Sequence, residues 1–273
     1  MPSSATVLIL LIATLSLYAG AFGHMLIQLL ARRPPRHLAV MSLLLFALIL
    51  HGVLLIPQLA TPVGLNLNVF NVLSLTGWLM LGFSLLFSSY RPVLPLNLLA
   101  IPFAGLGLLL GTLLHAPYHS MAHLSTGLEA HIFLSLVAYC LLFMAAVQSV
   151  LVSIQHRELK HRSQTRIWVQ VLPPLQTMES LLYDMLLIGF GLLTLALGLG
   201  LFAIDNLFAQ HLAHKTFFSA LSWLVFAGLL IGHWRFGWRG QRAVRFTLTG
   251  FGLLALGFVG SKLVLELILG RAG

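Results

Sequence analysis

Eight hydrophobic stretches, each long enough to cross a bilayer, occupy most of this 273-residue chain, at about 5–30, 38–57, 69–88, 94–114, 131–155, 179–203, 215–233 and 246–269. A spanning helix needs ~20 mainly apolar residues at 1.5 Å rise each. In hydrocarbon every backbone N–H and C=O must be paired within the protein. The expected fold is therefore an all-α membrane protein, a bundle of eight transmembrane helices, organised as one domain over residues 1–273. Charged residues make up only 8% of the chain, against roughly 25% in a soluble domain, too few to build a water-facing surface.

The first stretch lacks a basic flank before it and exceeds the roughly 7–15 residues of a signal-peptide core, so it is expected to remain as helix one. Arg32, Arg33 and Arg36 follow it, and the positive-inside rule places such a cluster in the cytoplasm. Alternating from there, Arg91, then Arg157, Lys160, Arg162 and Arg166, then Arg235, Arg239, Arg242 and Arg245 also fall inside. Twelve of the fifteen basic residues thus share one side, and an even number of spans puts both termini outside. This sorting accounts for the net charge of +9 without nucleic acid, with a secondary attraction to anionic lipid. Segment 156–172, basic and then apolar around Ile167, Trp168 and Val171, suits the headgroup zone or a partner contact, or equally a solvated loop with an anchoring Trp.

Histidine is the chemical signal: 12 His stand against 6 Asp plus Glu. His115, His119, His123 and His131 crowd one outer segment, and His211 and His214 the other. Within the spans lie His24, His51, Glu179, Asp184, Lys262 and Glu266; ionisable groups at such depth are costly and face the bundle interior. The lone cysteine, Cys140, excludes an intramolecular disulfide, and no CxxC is present. Haem takes one or two axial ligands from the protein, often imidazole. His131 and His214 begin helices at the same outer face, and Lys215 could meet a propionate. Zinc or copper would also accept imidazole, and each His could instead satisfy a helix end. His51 with His131 is the next pair to consider.

The stretch HIFLSLVAYCLLFMAAVQSVLVSIQ from His131 resembles the helix-five region of the cytochrome c assembly proteins, the CcsA/CcmC/CcmF haem handlers. Asn66-Leu67-Asn68 through SLTGW at 74–78, SLLYDMLLIGFGLLTLALGLG, HKTFFSALSWLVFAG and the Gly-Trp-Arg-Gly turn with its following helix resemble that family in the same order, over about 66–269. The first two helices are similar only to its smaller eight-helix HemX- and YpjD-like branch, and PPLQTMESLLYDM at 173–185 and HKTFF at 214–218 most resemble the YpjD-like type. The family's tryptophan-rich WGxxWxWD loop is missing: the corresponding stretch reads AIDNLFAQHLAHK. The resemblance carries an external haem ligand onto His131, brings a second family His to within two positions of His233, and leaves His214 where the family has Pro.

The resemblance implies a haem-binding or haem-transferring protein of the bacterial inner membrane that assists cytochrome c biogenesis, with haem as cofactor and a biogenesis protein as partner. Two alternatives stay open: a HemX-like regulator of tetrapyrrole metabolism, and an accessory to membrane metal-ion transport in which His51, Glu179, Asp184 and Lys262 matter more. The sequence has no nucleophile–His–carboxylate set, P-loop or dinucleotide fingerprint, so binding is expected rather than catalysis.

Overall fold

A computed structural model of the chain describes residues 4–31, 37–62, 64–90, 94–114, 125–160, 172–203 and 210–263. The histidines at 115, 119 and 123, the arginines at 32, 33, 36, 91, 162 and 166, Ile167, Trp168, Val171 and Glu266, and the side chains of His211 and Lys262, lie outside what is described. The described residues form eight helices: α1 (Ser4–Leu30), α2 (His37–Leu59), α3 (Val69–Ser88), α4 (Leu94–Leu113), α5 (Thr126–Lys160), α6 (Leu175–Ala203), α7 (Gln210–Phe236) and α8 (Gln241–Leu263). A hairpin of two-residue strands, Ala60–Thr61 and Gly64–Leu65, joins α2 to α3. Helices α1 to α7 are long and apolar enough to cross a membrane, giving seven candidate spans among the described residues where eight were expected; side chains of α8 are described only to Gly257.

The chain divides into two compact units, α1–α4 and α5–α8. In the first, α2 packs on α1 and α3, and α4 packs on α3 and α1. Lipid is as apolar as leucine, so close packing and interhelical hydrogen bonds must hold such helices together. Gly77 supplies the first: a Cβ there would meet Ala104 Cα of α4 at 2.6 Å. The second comes from Trp78 Nε1–H donating to Leu48 O at 2.8 Å, and from Ser84 Oγ donating to Asn97 Oδ1. Asn68 caps α3, its Oδ1 accepting from the amides of Phe70 and Asn71 at 2.9 Å.

The second unit is a square. Helix α5 packs on α6 and α8, and α7 packs on α6 and α8, so α5 and α7 stand on a diagonal. A hydrogen bond ties each side: Gln148 Nε2 to Met178 O at 3.1 Å (α5–α6), Trp223 Nε1 to Thr194 Oγ1 at 2.8 Å (α6–α7), Ser222 Oγ to Gly250 O at 2.7 Å (α7–α8), and Gln241 Nε2 to Ser153 Oγ at 3.3 Å (α5–α8). These contacts run the helices alternately up and down. Arg157 and Lys160 at the end of α5, Arg235 at the end of α7, and Arg239, Arg242 and Arg245 around the start of α8 therefore gather at one end of the square.

Candidate functional site

The end of the second unit opposite those arginines holds His131, in the second turn of α5. Its Nδ1 lies 2.8 Å from the Ala196 carbonyl on α6. A carbonyl only accepts, so Nδ1 carries a proton, which leaves Nε2 as the ring atom whose lone pair a metal would take. The imidazole fills a notch over Gly200, where a Cβ would stand 2.8 Å from His131 Cε1. A ring held by its Nδ1–H on a backbone carbonyl, with Nε2 available, is the arrangement that orients histidine for iron or zinc. His214 and Lys215, both exposed, lie in the second turn of α7 at this same end, not at its first residue as expected, and the backbone of Lys215 packs against Gly257 of α8.

Within this unit the remaining candidate, His233, lies at the opposite end. His233, near the end of α7, donates from Nδ1 to Trp238 O at 2.9 Å and stacks on Tyr183 with ring centroids 3.6 Å apart. It stands at the arginine-bearing end, beside the turn that His156 also approaches. From His131 to His156 is 25 positions along α5, roughly 37 Å at helical rise, so His131 and His233 cannot share a ligand. His51 belongs to the first unit and is fully buried. Its Nδ1 is 2.9 Å from the Tyr18 hydroxyl and its Nε2 3.0 Å from Ser74 Oγ, so both ring nitrogens are engaged. Cys140 is buried within α5.

Among the described residues no three His, Cys, Asp or Glu side chains converge as a metal cage. Single anchored imidazoles are what this chain offers there. That donor set fits haem, whose macrocycle supplies four ligands and asks one or two of the protein.

Sequence reasoning did not find Gly200, Ala196, Tyr183 or Trp238. Their importance arises from contacts between positions 55 to 69 apart, and Gly200 is one of 24 glycines without a distinguishing local signal. Glu179 stood out as a deep carboxylate, but its task, accepting the Gly240 N–H at 3.0 Å, did not.

The described arrangement can be set beside known proteins. The family model for the cytochrome C assembly protein matches residues 36–269. An "Inner membrane protein YpjD" of Escherichia coli is 32% identical over 235 residues, covering 85% of this chain and 88% of that protein. An uncharacterised 28.8 kDa protein of Azospirillum brasilense is 34% identical over 148 residues, 52% of this chain and 53% of that one. No solved structure matches significantly. With seven apolar helices of spanning length and a family match across most of its length, this multi-pass membrane protein belongs to the cytochrome c assembly protein family.

Proposed function

We propose that the chain binds haem at the end of the second unit that carries His131, and that it handles haem in the bacterial inner membrane for cytochrome c assembly. The observation that carries this reading is the anchored ring: Nδ1–H on the Ala196 carbonyl, the ring over Gly200, Nε2 presented as a ligand. His214, on the diagonal helix at the same end, is the second candidate ligand. Helix axes 8–10 Å apart put that diagonal at roughly 11–14 Å, a distance that two imidazoles bound at ~2 Å to one ion are suited to bridge. Lys215 beside it would meet a propionate through a charge-assisted hydrogen bond worth about 1.5–3 kcal/mol. Bound iron would supply redox and axial-ligand chemistry; the chain's own residues bind and orient it.

Purified protein supplied with haem is expected to show a Soret band that His131→Ala removes and that His51→Ala and His233→Ala keep. Wild-type protein with no Soret band would overturn the haem reading and leave the regulatory and the metal-ion transport readings standing. Retention of the band in His131→Ala would overturn the site.

The proposal extends to topology: eight spans, the arginine-bearing end cytoplasmic, both termini outside. The charge bias of the loops supports it. With Cys140 replaced, Ser120→Cys and Phe208→Cys are expected to react with an impermeant thiol reagent in intact cells. Protection of both would reverse the orientation.

A further inference from the structure

The turn between α7 and α8 is built more firmly than a connection requires. Gly237 and Gly240 adopt φ of 64° and 61°, the left-handed region that favours glycine, and they bracket Trp238 and Arg239. The Trp238 carbonyl accepts from Tyr183 Oη–H at 2.5 Å and from His233 Nδ1–H at 2.9 Å. Glu179 Oε1 takes the Gly240 N–H at 3.0 Å, and the Gly237 and Trp238 amides bond back to His233 O and Gly232 O. Side chains from two helices thus fix the backbone that carries Arg239. That guanidinium is exposed, as are those of Arg235 and Arg242 on either side. The end of α5 abuts the same turn: His156 Cε1 lies 3.9 Å from where a Gly240 Cβ would be, and the next residues bring exposed Arg157 and Lys160. Glu158 is half-buried beside them. Trp234 and Phe236, 66% and 74% exposed, flank the turn as aromatics do at the membrane–water boundary.

We propose that the Gly237–Gly240 turn, with Arg157, Arg239 and Arg242, is a binding site for the phosphate headgroup of an anionic phospholipid. The guanidinium fork matches phosphate oxygens in a way that an ammonium does not. A backbone already fixed loses little freedom when the headgroup docks, and clusters of basic residues at the ends of transmembrane helices are where anionic headgroups bind. The aromatic flanks place the site at headgroup depth, which makes a lipid, rather than free phosphate, its occupant. This site goes beyond the haem reading and does not depend on it.

Native mass spectrometry of the detergent-purified full chain, incubated with phosphatidylglycerol or with phosphatidylcholine, tests this. Wild type is expected to retain phosphatidylglycerol preferentially, and Arg239→Gln/Arg242→Gln to weaken it by about tenfold or more, since hydrogen bonds to charged groups contribute about 1.5–3 kcal/mol each. Arg32→Gln/Arg33→Gln removes the same charge from the first unit and is expected to leave binding unchanged. Glu179→Ala separates a built site from plain attraction. It makes the region more positive, so attraction alone tightens the lipid; loss of the Gly240 anchor weakens it. Equal loss in the two arginine pairs, tighter lipid in Glu179→Ala at native elution volume, or displacement by inorganic phosphate overturns the proposal. His131→Ala is expected to keep the lipid whatever becomes of haem.

Discussion

Gly200→Ala is expected to expel the His131 imidazole from its notch and to lower haem affinity by about 10–100-fold, the usual effect of losing the group that orients a ligating histidine. The added methyl would sit 2.8 Å from Cε1 and 3.0 Å from Nδ1, closer than carbon atoms approach, so the ring must turn and its hydrogen bond to Ala196 O must break. Overpacking of this kind also costs about 1–3 kcal/mol of stability. That sign opposes the usual effect in a helix, where alanine is better than glycine by roughly 1 kcal/mol. Gly198→Ala is the control, because nothing lies within 4 Å of its Cβ position. Haem titration followed by absorbance, with thermal unfolding of the same samples, reads both effects. A Gly200→Ala protein with wild-type affinity and stability would show that the ring does not depend on the notch.

His51→Ala is expected to be the most damaging single change in the first unit, by about 3–5 kcal/mol. One ring spans three helices: its nitrogens meet the Tyr18 hydroxyl of α1 and the Ser74 hydroxyl of α3, and the residue is 0% exposed. Removing it strands two buried hydroxyls, each costing about 1–3 kcal/mol unpaired, and opens a cavity. The triple change Tyr18→Phe/His51→Leu/Ser74→Ala removes every stranded group and is expected to recover most of that loss, since an apolar replacement of a whole buried polar set is often close to neutral. Thermal unfolding in one detergent is the measurement. A His51→Ala protein as stable as wild type would mean that the three hydroxyl and imidazole groups contribute little to holding α1, α2 and α3 together.

Much of the helical layout is legible in the sequence because hydrocarbon imposes one rule on every span. The expected stretches 5–30 and 69–88 differ from α1 and α3 by at most one residue at an end. The ends of α5, α6 and α7 are less legible: α5 runs from Thr126 to Lys160 where 131–155 was expected. Hydropathy marks where lipid begins, whereas Gln155, Arg157, Glu158 and Lys160 are good helix formers that continue the helix past it. His131 could be singled out because a polar ring opening a long apolar run is conspicuous. Its acceptor could not, because a backbone carbonyl 65 residues away has no side-chain signature. Tyr18 was equally hidden, an aromatic in an apolar run that looks like any packing residue until His51 is seen against it.

The grip of Glu179 and Tyr183 on the Gly237–Gly240 turn also bears on how the square can breathe. At the arginine-bearing end, α6 holds the turn by two side-chain hydrogen bonds, His233 adds a third from within α7, and Gln241 and Ser153 join α8 to α5. Towards the His131 end, His131 Nδ1–H to Ala196 O ties α5 to α6, and Trp223 Nε1–H to Thr194 Oγ1 ties α6 to α7. Local opening follows the elements with fewest buried bonds. The Gly237–Gly240 turn is therefore expected to be among the last parts of this unit to open, which slow hydrogen exchange of the Gly240 amide would register.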